Sequence, residues 1–178
     1  MRRRALAAAC ALLLAGCASV PMQGTTDRGG RFSAAVTRAG KRETVSGRWR
    51  LVETGRSTEL TLMTPLYGIL ARVRLTDQGA ELERPTKEGD AAYERTASAE
   101  ELMHRHLGFA LPVDMLSAWL SGRPSGSAPV EKTQTGFAQA GWSVAVRRTK
   151  PDGTPALLAV RQSETALRAG ISVTLTIE

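Results

Sequence analysis

Strict alternation of polar and apolar residues is the feature that most restricts how this chain can fold. It runs through several segments of 31–82, for example where Arg48 precedes Trp49, and it returns at 142–146 and 171–177. Successive side chains of a β-strand point to opposite faces, so a period of two predicts antiparallel strands with one polar and one apolar face.

The period changes between these two groups of predicted strands. Ser98 and Glu101 have the spacing of a capping box at the start of a helix, and Gly108 suits a left-handed cap at its end. A second short helix is predicted to begin at Pro112 and to stop at Gly122. The helices are the available cover for the apolar face of the sheet. We therefore expect a mainly β fold with a helical insertion, in which a curved antiparallel sheet wraps over helices. If the helices fill the concave face of the sheet incompletely, an apolar cavity remains between the two layers.

The first residues have the pattern of an export signal. Arginines precede an apolar run that is too short to cross a bilayer as a stable helix, and the run ends at Cys17. Residues 14–17 resemble the lipobox of bacterial lipoproteins, which implies cleavage before Cys17 and lipidation of that cysteine. The alternative is an ordinary signal peptide with a cysteine near its end. In such lipoproteins, an Asp directly after the lipidated cysteine favours retention in the inner membrane. Here that residue is Ala18, so the resemblance implies a lipid-anchored protein of the outer membrane that faces the periplasm.

Three regions are expected: a signal peptide at 1–16, a lipidated anchor and tether at 17–30, and one folded domain at 31–178. The polar, glycine-rich composition of 25–30 predicts the tether. Loss of the signal removes three positive charges from the net charge of +7, and no basic run alternates with aromatic residues, which argues against nucleic acid as a partner. The domain contains neither of the two cysteines, so thiol catalysis, disulfides and cysteine metal sites are excluded.

The sequence lacks the residue patterns of an enzyme. His104 and His106 are two residues apart on a predicted helix and point to nearly opposite sides, so we expect them on the surface rather than around one metal ion. Glu81 and Glu83 are expected to share the polar face of a strand. No Gly-x-Ser-x-Gly sequence is present. We predict a protein without catalytic residues, cofactor or metal.

One predicted connection between strands is unusually apolar. Pro65 and Gly68 interrupt the strand pattern, and the connection carries Leu66, Tyr67 and Ile69. An apolar loop either packs on the core or contacts lipid or a partner. Residue types alone favour core packing, and the second interpretation stays open.

Four features together resemble the LolB family of outer-membrane lipoprotein receptors. They are the lipobox that ends at Cys17, a Gly-Arg-aromatic strand at 47–51, Thr-Pro-Leu at 64–66 before an alternating strand, and the segment 99–124. The last is the most specific, since it contains Glu-Glu-Leu, a Leu-Gly break, Leu-Pro-Val, Trp-Leu and Gly-Arg-Pro in order. The likeness covers about 31–178.

This resemblance implies an unclosed antiparallel β-barrel covered by short α-helices, with an apolar cavity between them for the acyl chains of a passenger lipoprotein. It implies a monomeric receptor that accepts acylated lipoproteins from the periplasmic carrier LolA and inserts them into outer-membrane phospholipid without ATP. Leu66, with Pro65 and Tyr67 beside it, is implied to take part in delivery to the membrane. Our expectation for this loop therefore moves from core packing to exposure.

Ten apolar side chains on the predicted strands and helices are candidates for the lining of the cavity. They are Trp49, Leu51, Leu60, Leu62, Val73, Leu75, Leu116, Trp119, Trp142 and Val144. For each of them the alternative is plain core packing. For the whole chain the alternative is a structural lipoprotein that scaffolds an envelope complex, which explains the anchor and the sheet without a cavity.

Overall fold

Eleven antiparallel strands form one sheet in the computed structural model, which describes residues 24–66, 68–86, 88–126, 128–165 and 169–178. The strands are β1 (Thr26–Arg38), β2 (Lys41–Thr54), β3 (Ser57–Thr64), β4 (Gly68–Thr76), β5 (Gly79–Pro85), β6 (Ala91–Thr96), β7 (Val130–Thr133), β8 (Gly136–Gln139), β9 (Trp142–Thr149), β10 (Pro155–Gln162) and β11 (Gly170–Thr176). Two helices, α1 (Ala99–Leu107) and α2 (Val113–Leu120), lie between β6 and β7 in the chain.

The order of the strands shows an unclosed barrel. Neighbouring strands follow the order β6-β5-β4-β3-β2-β1-β11-β10-β9-β8-β7, so β1 and β11 bring the two ends of the domain together in the middle of the sheet. The edges of the sheet are β6 and β7, which do not pair with each other. The predicted fold class, a mainly β half-barrel with a helical insertion, is confirmed.

The alternation in the sequence places one face of the sheet in the core and the other in water. Trp49 is buried on the inner face of β2, whereas its neighbours Arg48 and Arg50 are exposed on the outer face. Glu81 and Glu83 lie on the polar face, as predicted. Glu83 forms an ion pair of 2.5 Å with an arginine of β4, and Glu81 forms one of 2.5 Å with an arginine of β6.

The amino-terminal strand begins earlier than expected. The predicted tether is wrong for Thr26–Gly30, because these residues pair with β2 in the register Gly30↔Trp49. Glycine is needed here for close packing, since a Cβ at Gly30 would lie 1.9 Å from the carbonyl oxygen of Thr176 on β11. That carbonyl also accepts a hydrogen bond of 3.1 Å from the indole N–H of Trp49. The glycine-rich composition therefore reflects the close approach of neighbouring strands, not a linker.

Both helices have the predicted boundaries, with one difference at the start of α1. The Ser98 side chain accepts a hydrogen bond of 3.4 Å from the Glu101 backbone N–H, and Gly108 has φ 74° at the other end. The capping box is only half formed, because the Ser98 backbone N–H donates to the Thr96 hydroxyl at 3.1 Å. Helix α2 follows Pro112 directly. Neither described helix is long and apolar enough to cross a membrane.

Candidate functional site

The ten candidate cavity residues come together in one hydrophobic cluster between the inner face of the sheet and the two helices. Nine of them are buried, and Leu75 is partly buried against the others. Two of the contacts are between aromatic rings, since Trp119 lies 6.3 Å from Trp142 and 6.4 Å from Phe137, measured between ring centroids. In this conformation the side chains pack as a core.

A buried amide fixes α2 to the sheet. Gln139 on β8 is only 2% exposed, and its Oε1 accepts hydrogen bonds of 2.9 Å from the Trp119 indole N–H and from the Ser125 backbone N–H. Its Nε2 donates to the carbonyl oxygens of Ser125 at 2.6 Å and Ala128 at 2.9 Å. Each polar atom of this side chain therefore has partners, which makes the contact favourable despite its burial.

The opposite side of α2 is held by the first two strands. Arg28 on β1 donates hydrogen bonds to the Ser117 carbonyl at 3.0 Å and to the Ser121 hydroxyl at 2.8 Å. The Ser117 hydroxyl donates to the carboxylate of Glu53 on β2. Helix α2 is thus attached to both halves of the sheet.

Helix α1 is attached to the edge strand β6 by charged side chains near the surface. The carboxylate of Glu94 accepts hydrogen bonds from Arg105 and, at 2.5 Å, from the His106 Nε2. The hydrogen bond from His106, together with the charge of Arg105, holds the pKa of Glu94 below its usual range. The expectation of two surface histidines is correct for His104, which is exposed, and wrong for His106, which is partly buried in this ion pair. Among the described residues, no three His, Cys, Asp or Glu side chains are grouped to hold a metal.

A pocket of about 640 Å³ opens between α1 and the ends of β9, β10 and β11. Its helical wall includes Ser98, Glu101 and His104, and its strand wall includes Trp142 and Ile171. Trp142 is also one of the ten candidate cavity residues, so the pocket reaches the boundary of the hydrophobic core. Polar side chains of the helical wall and apolar side chains of the strand wall together line it.

The apolar connection between β3 and β4 projects from the sheet. Leu66 is 85% exposed, and Pro65 beside it is also exposed. Core packing, the interpretation that residue types alone favoured, is wrong for Leu66. Gly68 closes the turn with φ 65°, a left-handed conformation that glycine adopts without strain. Tyr67 lies outside the described residues, as does Cys17.

The sequence model of a family described as outer membrane lipoprotein LolB matches residues 28–178, which covers all but the first two residues of β1 and every later strand. The chain belongs to the LolB family. Curated relatives named outer-membrane lipoprotein LolB agree with this assignment. The protein of Cupriavidus pinatubonensis is 40% identical over 161 residues, which cover 80% of this chain and 76% of the relative. That of Cupriavidus taiwanensis is 36% identical and covers 99% and 97%. That of Bordetella petrii is 33% identical and covers 92% and 86%.

In this member of the LolB family, sequence reasoning missed the polar side chains that position the helices. Gln139, Arg28 and Glu94 each contact residues that are at least ten positions away in the chain. A glutamine flanked by alanines between Phe137 and Trp142 is the one local signal that could have identified Gln139 as buried.

Proposed function

We propose that this chain is a receptor of the outer membrane that accepts acylated lipoproteins from the periplasmic carrier LolA and inserts them into the membrane without ATP. In this proposal it is lipidated on Cys17, faces the periplasm and acts as a monomer. The observation that carries the proposal is an 85% exposed Leu66 on a sheet whose inner face is largely apolar. Membership of the LolB family supports it.

The size of the hydrophobic effect determines how such a transfer proceeds. Three acyl chains contain on the order of 45 methylenes, and at about 0.8 kcal/mol each their exposure to water would cost roughly 35 kcal/mol. The chains must therefore pass directly from the carrier's cavity to the receptor and from the receptor to the bilayer. A receptor with slightly better apolar complementarity than the carrier draws them forward without nucleotide.

The two helices differ in the polar contacts that hold them to the sheet. Helix α2 is fixed by the buried hydrogen bonds of Gln139 and by Arg28, whereas the polar contacts of α1 with β6 are ion pairs that are partly exposed. Exposed ion pairs each contribute only about 0 to 1 kcal/mol, so the burial of Leu102 and Met103 is what mainly holds α1 on the sheet. Displacement of α1 would widen the pocket beside Trp142 and let acyl chains enter the core from that side.

Leu66 supplies the contact with the target membrane. Complete burial of one leucine contributes about 1.5 to 3 kcal/mol, which biases an encounter with lipid but does not anchor a protein. The lipid on Cys17 provides the permanent attachment, since two or more acyl chains give stable anchoring. None of these steps requires a catalytic residue, a cofactor or a metal.

The test is transfer of a radiolabelled lipoprotein from purified LolA of the same organism to a chain without its signal and with Cys17→Ala. This chain keeps every described residue, because the first strand begins at Thr26. Complexes separated on a column should show stoichiometric transfer without ATP. Absence of transfer to the folded domain would contradict the proposal and favour a structural lipoprotein that scaffolds an envelope complex.

A further inference from the structure

Three large apolar side chains are exposed in the described part of the chain, and the proposed function uses only one of them. Leu66 is 85% exposed, Tyr93 is 63% exposed and Val130 is 43% exposed. Tyr93 lies on β6 and Val130 on β7, the two opposite edges of the sheet. Tyr93 thus presents an aromatic ring to solvent on an edge strand, outside the core.

Tyr93 lies on the outer face of the sheet, at the same corner as Leu66. It is opposite Glu83 on β5, which in turn is opposite Arg72 on β4. Antiparallel pairing places the β3–β4 and β5–β6 connections at the same end of the sheet. Tyr93 is two strands away from Arg72, at about 4.8 Å per strand, and Arg72 is four residues from Gly68, at about 3.3 Å per residue. Leu66 lies in the turn just beyond Gly68, so Tyr93 and Leu66 are about 20 Å apart.

The charges around Tyr93 are balanced. Glu83 forms an ion pair of 2.5 Å with Arg72, and Arg95, two residues after Tyr93 on the same face, forms one of 2.5 Å with Glu81. The surface therefore has no strong net charge that would select a highly charged protein partner. Tyrosine has an apolar ring and a polar hydroxyl, the combination that is enriched at the boundary between lipid and water. Among the contacts of the described residues, only the Nε of Arg95 is paired with Glu81, and the side chain is 83% exposed, so its remaining N–H groups can contact lipid phosphates.

We propose that Tyr93 is a second contact with the bilayer and that Tyr93 and Leu66 together orient the sheet on the membrane. This inference rests on the proposed function, in which Leu66 contacts lipid. The corner formed by β3 to β6 faces the phospholipid headgroups, and the β7 edge with Val130 points away. Tyr93 lies in the headgroup region while Leu66 enters the acyl layer.

Tryptophan substitution provides a direct test because Trp49, Trp119 and Trp142 are all buried. We would prepare three variants of the mature acylated chain: Tyr93→Trp, Leu66→Trp and, as the matched control on the opposite edge, Val130→Trp. Each is placed in phosphatidylethanolamine and phosphatidylglycerol vesicles whose acyl chains are brominated near the headgroup. Iodide quenching without vesicles checks that each new indole is exposed and that the three native indoles remain protected.

The proposal predicts that bromine quenches the emission of the indoles at positions 93 and 66, with little effect at position 130. If the indole at position 66 is quenched, but the indole at position 93 is quenched no more than the one at position 130, the role of Tyr93 is overturned and the proposed function stays intact. Absence of quenching at both 66 and 93 would reject the membrane contact of the proposed function as well. Protection of position 93 by added LolA, without quenching by lipid, would assign this surface to a protein partner and overturn the proposal.

Discussion

Gln139 and Trp119 are joined by a buried hydrogen bond of 2.9 Å that ties α2 to β8. Replacement of Gln139 by leucine removes the acceptor of the buried Trp119 indole N–H and the contacts with the backbone of Ser125 and Ala128. An unsatisfied buried donor costs about 1 to 3 kcal/mol, so Gln139→Leu should lower the free energy of unfolding by about that amount. Urea denaturation measures the change.

The matched control for this substitution is Gln134→Leu, in the exposed turn between β7 and β8. Its effect should stay within about 0.5 kcal/mol. Equal destabilisation by the two variants would show that the buried amide is not the attachment of α2.

The hydrogen bond between Glu94 and His106 predicts a pH dependence. The pKa of Glu94 is lowered in the folded protein from its ordinary value of 4.5, so its contribution to stability is present above that value and is lost as the pH falls through the lower folded pKa. The difference in free energy of unfolding between the native chain and Glu94→Gln should therefore be present near neutral pH and shrink in acid. Denaturation at a series of pH values measures it.

Glu88→Gln, in the exposed turn between β5 and β6, is the control for the loss of one carboxylate. It should leave the stability nearly unchanged at each pH. A constant difference between the native chain and Glu94→Gln across the acid range would contradict the ion pair.

Gly30 should tolerate no side chain. A Cβ at this position would lie 1.9 Å from the Thr176 carbonyl oxygen, so Gly30→Ala must push β1 and β11 apart in the centre of the sheet. Overpacking of this kind costs about 1 to 3 kcal/mol. Gly24→Ala is the control, because nothing lies within 4 Å of its Cβ position. Similar midpoints for both variants in urea denaturation would show that the strands separate freely.

The strands that could be predicted from the sequence are those with one face in the core and the other face exposed to solvent. Alternation around Trp49 identifies a strand because the outer residues, Arg48 and Arg50, are polar and the inner residue is apolar. Strand β10 was not predicted, since 156–160 is a continuous apolar run whose period distinguishes neither a strand nor a helix. Local capping signals at Ser98 and Gly108 correctly gave the ends of α1.

Other features of the site depend on contacts that no local pattern contains. The pairing of Thr26–Gly30 with β2 and the hydrogen bond between Gln139 and Trp119 join residues that the fold alone brings together. The exposure of Leu66 followed from the family resemblance, whereas residue types alone pointed to core packing. A single exposed leucine is compatible with a stable fold, so residue types do not determine whether such a side chain lies in the core or in water.

Leu66→Glu should separate uptake of lipoproteins from their delivery. Because Leu66 is exposed, the charge should leave the free energy of unfolding within about 0.5 kcal/mol of the native value and leave transfer from LolA unchanged. Deposition of the bound lipoprotein into vesicles should fall sharply, since a carboxylate does not enter the acyl layer. Val130→Glu, on the edge strand β7, should deliver normally. Loss of folding in Leu66→Glu would place this leucine in the core.

Native tryptophan fluorescence tests whether the acyl chains of a passenger lipoprotein enter the hydrophobic cluster. Trp49, Trp119 and Trp142 are all among the ten candidate residues and are all buried, so a passenger lipoprotein with brominated acyl chains should quench them as it arrives from LolA. The same lipoprotein without bromine controls for a change of conformation. Trp142 borders the pocket beside α1, so Trp142→Phe should remove a larger share of the quenching than Trp49→Phe. Complete transfer without quenching would mean that the chains bind elsewhere and that the ten residues form only a structural core.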